Sequence, residues 1–217
     1  MLDRYIQEVR TDDPASETPA ATRERLKARF APGSTRRMTL LGLLGGAALG
    51  DLPASGDEPL VYASVFGEGR ALEDYLASFP AASPTLFQTS IHPSGVQQGL
   101  IGRQRSVGEL FPHAGGPQLA LQALLTAMLA PAPCVVLAGG EECGTWLREA
   151  RAVSDRTFGY AVRLGREPGA NALGRLTLTP AEVTGALAHG AWFDLLHRRQ
   201  PFDGAAADGW RLQLAWS

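Results

Sequence analysis

The sequence has few cysteines, no excess of basic residues and no long apolar run, and each absence excludes a class of protein. Its two cysteines are too few for a disulfide framework. A net charge of -2 argues against a nucleic-acid or anionic-membrane surface, because both need an excess of positive charge. An apolar stretch at residues 39–49 is too short to span a bilayer. The composition predicts a globular, cytoplasmic protein that neither binds nucleic acid nor inserts into a membrane.

A buried helix followed by a buried strand is the main structural signal. Residues 119–129 are apolar almost all round, which is typical of a helix that is covered on every side. Pro117 suits the first turn of this helix, and two further prolines end it. Residues 134–138 form a continuous apolar run, which indicates a strand covered on both faces, and the glycine pair at 139–140 is expected to stop it. This unit predicts a layered α/β domain.

Two short motifs in this unit resemble the β-ketoacyl synthases of the thiolase fold. Residues 123–127 (Ala-Leu-Leu-Thr-Ala) match part of the family's nucleophile helix, and residues 139–142 (Gly-Gly-Glu-Glu) match the end of its next strand. The resemblance places the family's cysteine at Pro117, or at Gln118 if the register shifts by one residue. A synthase cysteine sits at a helix N-terminus because the dipole favours the attacking thiolate. Proline and glutamine are not nucleophiles, so the resemblance implies that the nucleophile is lost.

A third motif is more specific and spans residues 83–92 (Ser-Pro-Thr-Leu-Phe-Gln-Thr-Ser-Ile-His). It resembles a stretch in a divergent, short group of synthase-like proteins that accompany bacterial aryl polyene pathways. Members of that group are called chain-length-factor-like subunits. They often have asparagine after the histidine, where this sequence has Pro93. The resemblance covers residues 34–165 and extends more weakly into both flanks.

The fold that this resemblance implies is α/β: a layered thiolase-like half-fold in which a mixed β-sheet carries a buried central helix and covering helices. We expect an N-terminal strand and flexible arm over residues 1–33. A single domain similar to the N-terminal half of a β-ketoacyl synthase is expected over residues 34–217. A full synthase has two similar halves and takes its two basic histidines from the second. The resemblance therefore implies that the decarboxylation apparatus is missing too.

The function implied by the resemblance is that of a non-catalytic, chain-length-factor-like partner of a β-ketoacyl-acyl carrier protein synthase in polyene or fatty acyl chain assembly. A ketosynthase subunit is the expected partner in a heterodimer, with an acyl carrier protein as a further partner, and a homodimer is expected when the chain is alone. The candidates for acyl-tunnel or partner-facing positions are Phe87, Ser90, His92, His113, Gln118 and Gln122. For the two histidines, a purely structural role is the alternative.

The other chemistry-bearing side chains indicate neither a cofactor nor a metal. His189 and His197 are eight residues apart, and no further ligand completes a zinc set with them. Cys134 opens the predicted buried strand, and Cys143 follows the Gly-Gly-Glu-Glu motif. Both cysteines are therefore predicted to be small structural residues.

Two functions from other classes remain open. One is a hydrolase or acyltransferase that uses a serine such as Ser90 or Ser106, although the sequence has no Gly-x-Ser-x-Gly motif. The other is a self-associating protein that binds acyl chains without a synthase partner. A fluorophosphonate label tests the first alternative, and a mass measurement with a candidate synthase tests the second.

Local patterns predict the remaining secondary structure. Residues 11–22 are polar and interrupted by proline, which indicates a surface loop. Thr179 and Pro180 are typical of a helix start, as N-cap and first helical residue. The expected helices are 23–30, 39–49, 70–79 and 179–196. The expected strands are 5–9, 59–66, 87–91, 157–164, 174–178 and 209–216. Strand 5–9 is expected at a sheet edge, and strand 174–178 is expected to be the antiparallel neighbour of strand 157–164.

The predicted helix at residues 70–79 is amphipathic. Its apolar residues follow the i, i+3, i+4, i+7 spacing that places them on one helical face: Leu72, Tyr75, Leu76 and Phe79. Glu73 and Asp74 belong to the opposite face. The pattern predicts that the apolar face packs on the sheet and that both carboxylates point outward.

Overall fold

The computed structural model describes residues 1–50, 52 and 56–217, and within them it contains eight strands and seven α-helices. The strands are β1 (Leu2–Asp12), β2 (Leu60–Ser64), β3 (Leu110–Ala114), β4 (Cys134–Glu141), β5 (Phe158–Gly165), β6 (Gly174–Pro180), β7 (Phe202–Ala207) and β8 (Trp210–Trp216). The helices are α1 (Pro19–Lys27), α2 (Leu40–Leu49), α3 (Gly69–Ala77), α4 (Pro84–Thr89), α5 (Ser94–Gly102), α6 (Leu119–Leu129) and α7 (His189–His197).

All eight strands form one mixed sheet in the order β3-β2-β4-β5-β1-β6-β8-β7. Strands β2, β3 and β4 are parallel, whereas β5 runs antiparallel to both β4 and β1. The predicted strand at residues 5–9 is confirmed, but the expectation that it lies at an edge is wrong, because β1 pairs with β5 on one side and β6 on the other. For the same reason β6 is not the neighbour of β5. A pairing between segments so distant in the chain leaves no local sequence signal.

Arg4 is a buried charged residue of β1, a strand with little apolar character that lies inside the sheet. Its buried guanidinium donates hydrogen bonds to the carbonyl oxygens of Ala130 (2.5 Å) and Ala132 (3.1 Å). These carbonyls follow the last turn of α6, where backbone acceptors lack partners within the helix. An arginine in β1 thus satisfies the C-terminal end of the central helix.

Helices cover both faces of the sheet, and the central strands alternate between the two cores. In β4, Val135 and Leu137 pack with α6 and α7, while Val136 and Ala138 pack with α2 and α5. The prediction of an apolar strand covered on both faces is therefore confirmed. Helix α2 agrees with prediction as well: Thr39 accepts the Gly42 N–H at 3.0 Å, and all ten helical residues are buried.

The central helix begins and ends close to the predicted positions, but β4 continues through the glycine pair to Glu141. The expectation that the pair stops the strand is wrong, because these glycines provide space and not a turn. A Cβ atom at Gly139 would lie 2.5 Å from the Ala63 carbonyl oxygen and 2.6 Å from the Tyr160 hydroxyl. Gly139 is thus required for close packing against β2 and β5.

Helix α3 lies in its predicted place with the opposite orientation. Glu73 is only 1% exposed, whereas Leu72 and Leu76 are 37% and 40% exposed. The Glu73 carboxylate accepts the N–H groups of Thr145 (2.8 Å) and Leu147 (2.8 Å). These donors outweigh the effect of burial and hold the pKa of Glu73 below its usual value. These hydrogen bonds turn Glu73 inward, so the prediction is wrong for Glu73 and for the apolar face, which points outward. Asp74 is exposed, as predicted.

Three further segments differ from prediction. Residues 87–91 are not a strand, because Ser83 caps α4 by accepting the Leu86 N–H at 3.4 Å and Pro84 occupies the first turn. Helix α1 begins within the predicted loop. The helix expected from residue 179 is wrong, because β6 extends to Pro180 by pairing with β8, and α7 begins only at His189.

Candidate functional site

The candidate site lies where the carboxyl ends of the parallel strands β2, β3 and β4 meet. The loops that leave these strands are residues 65–68, 115–118 and 142–145. Ligands of α/β sheets bind at such an edge, because the following helices begin there. Helix α6, which the resemblance identifies with the nucleophile helix, starts from the second of these loops.

Pro117 and Gln118 stand at the start of α6, as the motif register predicts. Gly115 and Gly116 both have a φ of 78° and turn the chain from β3 into the helix. Both Pro117 and Gln118 are exposed, and Gln118 makes no capping hydrogen bond within the described part of the chain. The helix start to which the resemblance assigns the nucleophile is therefore accessible, but the two side chains present there cannot attack an acyl group.

The other potential nucleophiles have different surroundings. Cys134 begins β4 at the opposite end of the sheet and lies 3.5 Å from the Gln7 Oε1 atom. Cys143 lies at the candidate edge, with its thiol 3.5 Å from the Gly144 carbonyl oxygen. The Ser90 hydroxyl donates to the Phe87 carbonyl within its own helical turn, and Ser106 lies on an exposed loop. Among the described residues, neither serine hydroxyl is hydrogen-bonded to a base.

A buried network of Glu141, His189 and Tyr160 joins three elements at this edge. Glu141 accepts the Val65 N–H at 2.6 Å and the Ser64 hydroxyl at 3.1 Å. His189 Nδ1 lies 2.8 Å from the Glu141 carboxylate, and His189 Nε2 lies 3.0 Å from the Tyr160 hydroxyl. Because an ionised carboxylate only accepts, Nδ1 carries the proton and Nε2 accepts from Tyr160.

This network anchors the fold at the site and does not present a free acid or base. Burial raises the pKa of Tyr160 strongly, so its hydroxyl stays protonated and keeps donating. Glu141, His189 and Tyr160 are each hydrogen-bonded to another member of the network. Sequence reasoning considered His189 only as a metal ligand and missed this role, because its partners come from β4 and β5. In the described residues no group of His, Cys, Asp and Glu could hold a metal ion.

A second carboxylate–histidine pair, Glu68 and His92, lies at the start of α3 and α5. Glu68 accepts the Gly95 N–H at 2.8 Å and approaches His92 Nδ1 at 3.0 Å. The His92 ring stacks on Tyr62 with a centroid distance of 5.5 Å. Within the described part of the chain, His92 Nε2 and the Tyr62 hydroxyl are buried without a hydrogen-bond partner. Unlike His189, His92 thus has one ring nitrogen without a hydrogen-bond partner in the described part of the chain.

His113 projects from β3 towards α6. Its Nε2 atom lies 3.0 Å from the Thr126 hydroxyl, which itself donates to the Gln122 carbonyl at 3.0 Å. Because the Thr126 hydroxyl proton is donated to the Gln122 carbonyl, the hydroxyl oxygen accepts a hydrogen bond from the His113 Nε2–H. Burial lowers the pKa of His113, with a smaller contribution from His92, so the neutral ring is favoured.

The structure brings only some of the candidate residues together. His92 and His113 lie at the carboxyl-end edge with Gln118, and Gln122 lies one turn further along α6. Phe87 and Ser90 belong to α4 and its C-cap, beside α3. Whether any of them contacts an acyl chain or a partner stays a prediction.

An exposed apolar surface covers the outside of α3 and α4, and we call it the α3–α4 face. Tyr75 joins the two helices, with its ring centroid 5.4 Å from those of both Phe79 and Phe87. The members of the face are 37–56% exposed: Leu72, Leu76, Phe79, Phe87 and Ile91. A continuous apolar surface of this kind marks an association site.

The edge of the sheet at β3 is less suited to association. The Leu60 N–H donates to the Glu109 carbonyl and the Gly115 N–H to the Ser64 carbonyl, so the odd-numbered residues of β3 bond to β2. The even-numbered residues, with Pro112 in their centre, direct their backbone groups away from the sheet. Proline has no N–H, so a strand added at this edge would lose its central donor.

The chain shares its fold with ketosynthase structures. One is a chain from the complex of the ketosynthase ApeO with its chain length factor ApeC from Xenorhabdus doucetiae, at 18% identity and a TM-score of 0.69, with 99% of this chain and 100% of that chain covered. Another belongs to AntDE:AntF, a type II PKS acyl-carrier protein in complex with its ketosynthase, at 12% identity and a TM-score of 0.59, with 84% and 71% covered. These likenesses establish a thiolase-like fold, as the sequence predicted.

No model of a known protein family matches the sequence, and no curated protein matches it. Among the described residues, no helix is both long and apolar enough to cross a membrane.

Proposed function

We propose that this chain is a non-catalytic, chain-length-factor-like subunit that pairs with a β-ketoacyl-acyl carrier protein synthase in the cytoplasm. The observation that carries this proposal is the start of α6, where Pro117 and Gln118 stand at the end of the helix that the resemblance equates with the nucleophile helix. The assembled product would be a fatty acyl or polyene chain of the aryl polyene type, as the motif at residues 83–92 implies. No cofactor is needed for such a role.

The α3–α4 face supports association with a protein partner. An isolated chain would leave five large apolar side chains in water, at a cost that burial in an interface removes. The likeness to a chain from a ketosynthase–chain length factor complex favours a ketosynthase as that partner. An acyl carrier protein would reach the assembled pair, because it delivers the acyl chain to the synthase.

The role in setting chain length would come from side chains near the start of α6. Gln118 and Gln122 are exposed on this helix, and His92 and His113 lie beside it. In the complex these residues would border the acyl tunnel of the partner. Phe87 and Ser90 would face the partner itself.

The proposal predicts that the chain alone forms no acyl-enzyme and that Pro117→Cys does not create a synthase. The resemblance places both decarboxylating histidines in a second half that has no counterpart among these 217 residues. Intact-protein mass spectrometry after incubation with acyl and malonyl thioesters measures adducts and decarboxylation. Gln97→Cys, which adds an exposed thiol on α5, is the control for unspecific acylation.

Two outcomes would contradict the proposal. One is an acyl adduct on the wild-type protein that also forms on the variant in which Cys134 and Cys143 are both replaced. The other is malonyl decarboxylation by Pro117→Cys above the level of Gln97→Cys, which would assign a catalytic role to a histidine of this chain. His92 would then be the first candidate, because its Nε2 atom has no hydrogen-bond partner among the described residues.

A further inference from the structure

A cleft lined by four arginines lies on the α2 side of the sheet, away from α6. It has a volume of about 330 Å³, and we call it the arginine cleft. Arg23 comes from α1, Arg36 and Arg37 from the turn before α2, and Arg70 from α3. Helix α4 contributes the hydroxyl groups of two threonines, and Glu142 forms part of the wall.

Positive charge in this cleft exceeds negative charge. Arg70 pairs with Asp74 at 2.5 Å, and one Arg23 nitrogen donates to the Met38 carbonyl at 2.8 Å. Within the part of the chain that the structure describes, neither Arg36 nor Arg37 has a side-chain hydrogen bond or ion pair. Four guanidinium groups thus face two carboxylates, and a concave wall of low dielectric concentrates the resulting field.

The carboxylate in the wall belongs to Glu142, which accepts the Leu41 N–H at 3.0 Å. The charged groups around it are Arg23 from α1 and both Arg70 and Asp74 from α3. Burial raises the pKa of Glu142 to about 6, although that N–H and the two arginines act in the opposite direction. Near neutral pH a small fraction of Glu142 is therefore already protonated, and the remainder opposes an anion in the cleft.

The N-terminus of α2 is not itself the anion site. Its Leu41 N–H is taken by Glu142 and its Gly42 N–H by the Thr39 hydroxyl. The available donors are the guanidinium groups, whose forked geometry matches two oxygens of a tetrahedral oxyanion. On α4, the Thr89 hydroxyl already donates to the Leu86 carbonyl at 3.0 Å, so the Thr85 hydroxyl is the one that can donate to a further oxygen.

We propose that the arginine cleft binds a tetrahedral oxyanion, either as a free ion or as the phosphate group of a larger ligand. Arg36 and Arg37 provide the charge and the bidentate contacts. Arg23 and Arg70 line the opposite wall. The cleft shares helices α3 and α4 with the proposed ketosynthase contact but none of its side chains, and anion binding does not depend on that contact.

Titration calorimetry with sodium sulfate tests the proposal. Sulfate keeps its charge between pH 5 and pH 8, so any pH dependence of its binding comes from the protein. We expect saturable binding at constant ionic strength. Replacing both Arg36 and Arg37 by glutamine should weaken it by about tenfold or more, since two charge-assisted contacts are lost. The matched control replaces Arg198 and Arg199 by glutamine, an exposed pair after α7 that changes the net charge equally.

The pH dependence gives a second readout. Sulfate binding should strengthen as the pH falls through about 6, because protonation of Glu142 removes a negative charge from the wall. Glu142→Gln should bind more tightly than wild type at pH 7.5 and lose most of this pH dependence. Circular dichroism confirms that each variant is folded. Equal affinities of the Arg36/Arg37 and Arg198/Arg199 variants, or no saturable binding, would overturn the proposal.

The source of the anion is distinguished by comparing inorganic phosphate with phenyl phosphate and with glutarate at the same pH. Tighter binding of the phosphate ester assigns the cleft to a phosphate group on a larger ligand, and equal binding of both phosphates assigns it to the free ion. Binding of glutarate at the level of phosphate would overturn the assignment to a tetrahedral oxyanion.

Discussion

Replacing Glu141 by leucine should destabilise the protein by roughly 3–5 kcal/mol, because each buried hydrogen-bond donor left without an acceptor costs about 1–3 kcal/mol. The carboxylate accepts hydrogen bonds from the Val65 N–H, the Ser64 hydroxyl and His189. Leucine has no acceptor, so these buried donors lose their partner and the loop after β2 loses its anchor. Chemical denaturation followed by circular dichroism measures the loss in the free energy of unfolding.

Two comparisons make this prediction specific. Glu141→Gln keeps a carbonyl oxygen that can accept the Val65 N–H, so it should lose less stability than the leucine variant. Glu149→Leu removes an exposed carboxylate and should change stability by less than about 0.5 kcal/mol. A Glu141→Leu protein as stable as Glu149→Leu would contradict the anchoring role of the network.

Replacing both Leu76 and Phe87 by aspartate should abolish the complex with a ketosynthase. The two side chains are 40% and 49% exposed, so charges at these positions are tolerated in the free chain. In an interface they would become buried charges without partners, and two such changes at a central apolar contact weaken binding by more than about 100-fold. Co-purification with a tagged ketosynthase, followed by a titration of the purified proteins, measures the effect.

The matched control for this experiment is Ile101→Asp on α5. Ile101 is 75% exposed and lies outside the α3–α4 face, so its replacement should leave the affinity unchanged. Thermal unfolding of both variants separates a lost interface from a lost fold. If the double variant binds the ketosynthase as tightly as Ile101→Asp, the α3–α4 face is not the contact.

The central unit of the fold was predictable because its signals are local. The apolar run at residues 119–129 lies between Pro117 and Pro131, and the run at residues 134–138 lies between Pro133 and a glycine pair. Their lengths and boundaries favour a buried helix and a buried strand. The motif register likewise placed Pro117 and Gln118 at the start of this helix. These features depend on neighbours in the chain, which the sequence displays directly.

The features that sequence reasoning missed depend on distant residues. The helical period shows that Glu73 and Leu76 lie on different faces of α3, but only the donors at Thr145 and Leu147 decide which face turns inward. The central position of β1 is also set by non-local pairing. In the site, Glu141 and His189 come from segments far apart in the chain, and no spacing rule links them.

The mass of the chain in solution with a candidate ketosynthase tests the central claim most directly. Sedimentation equilibrium at micromolar concentration should show a stable one-to-one complex of the two proteins, and a self-associated chain when the synthase is omitted. A well-folded monomer that binds none of the candidate ketosynthases would contradict the account.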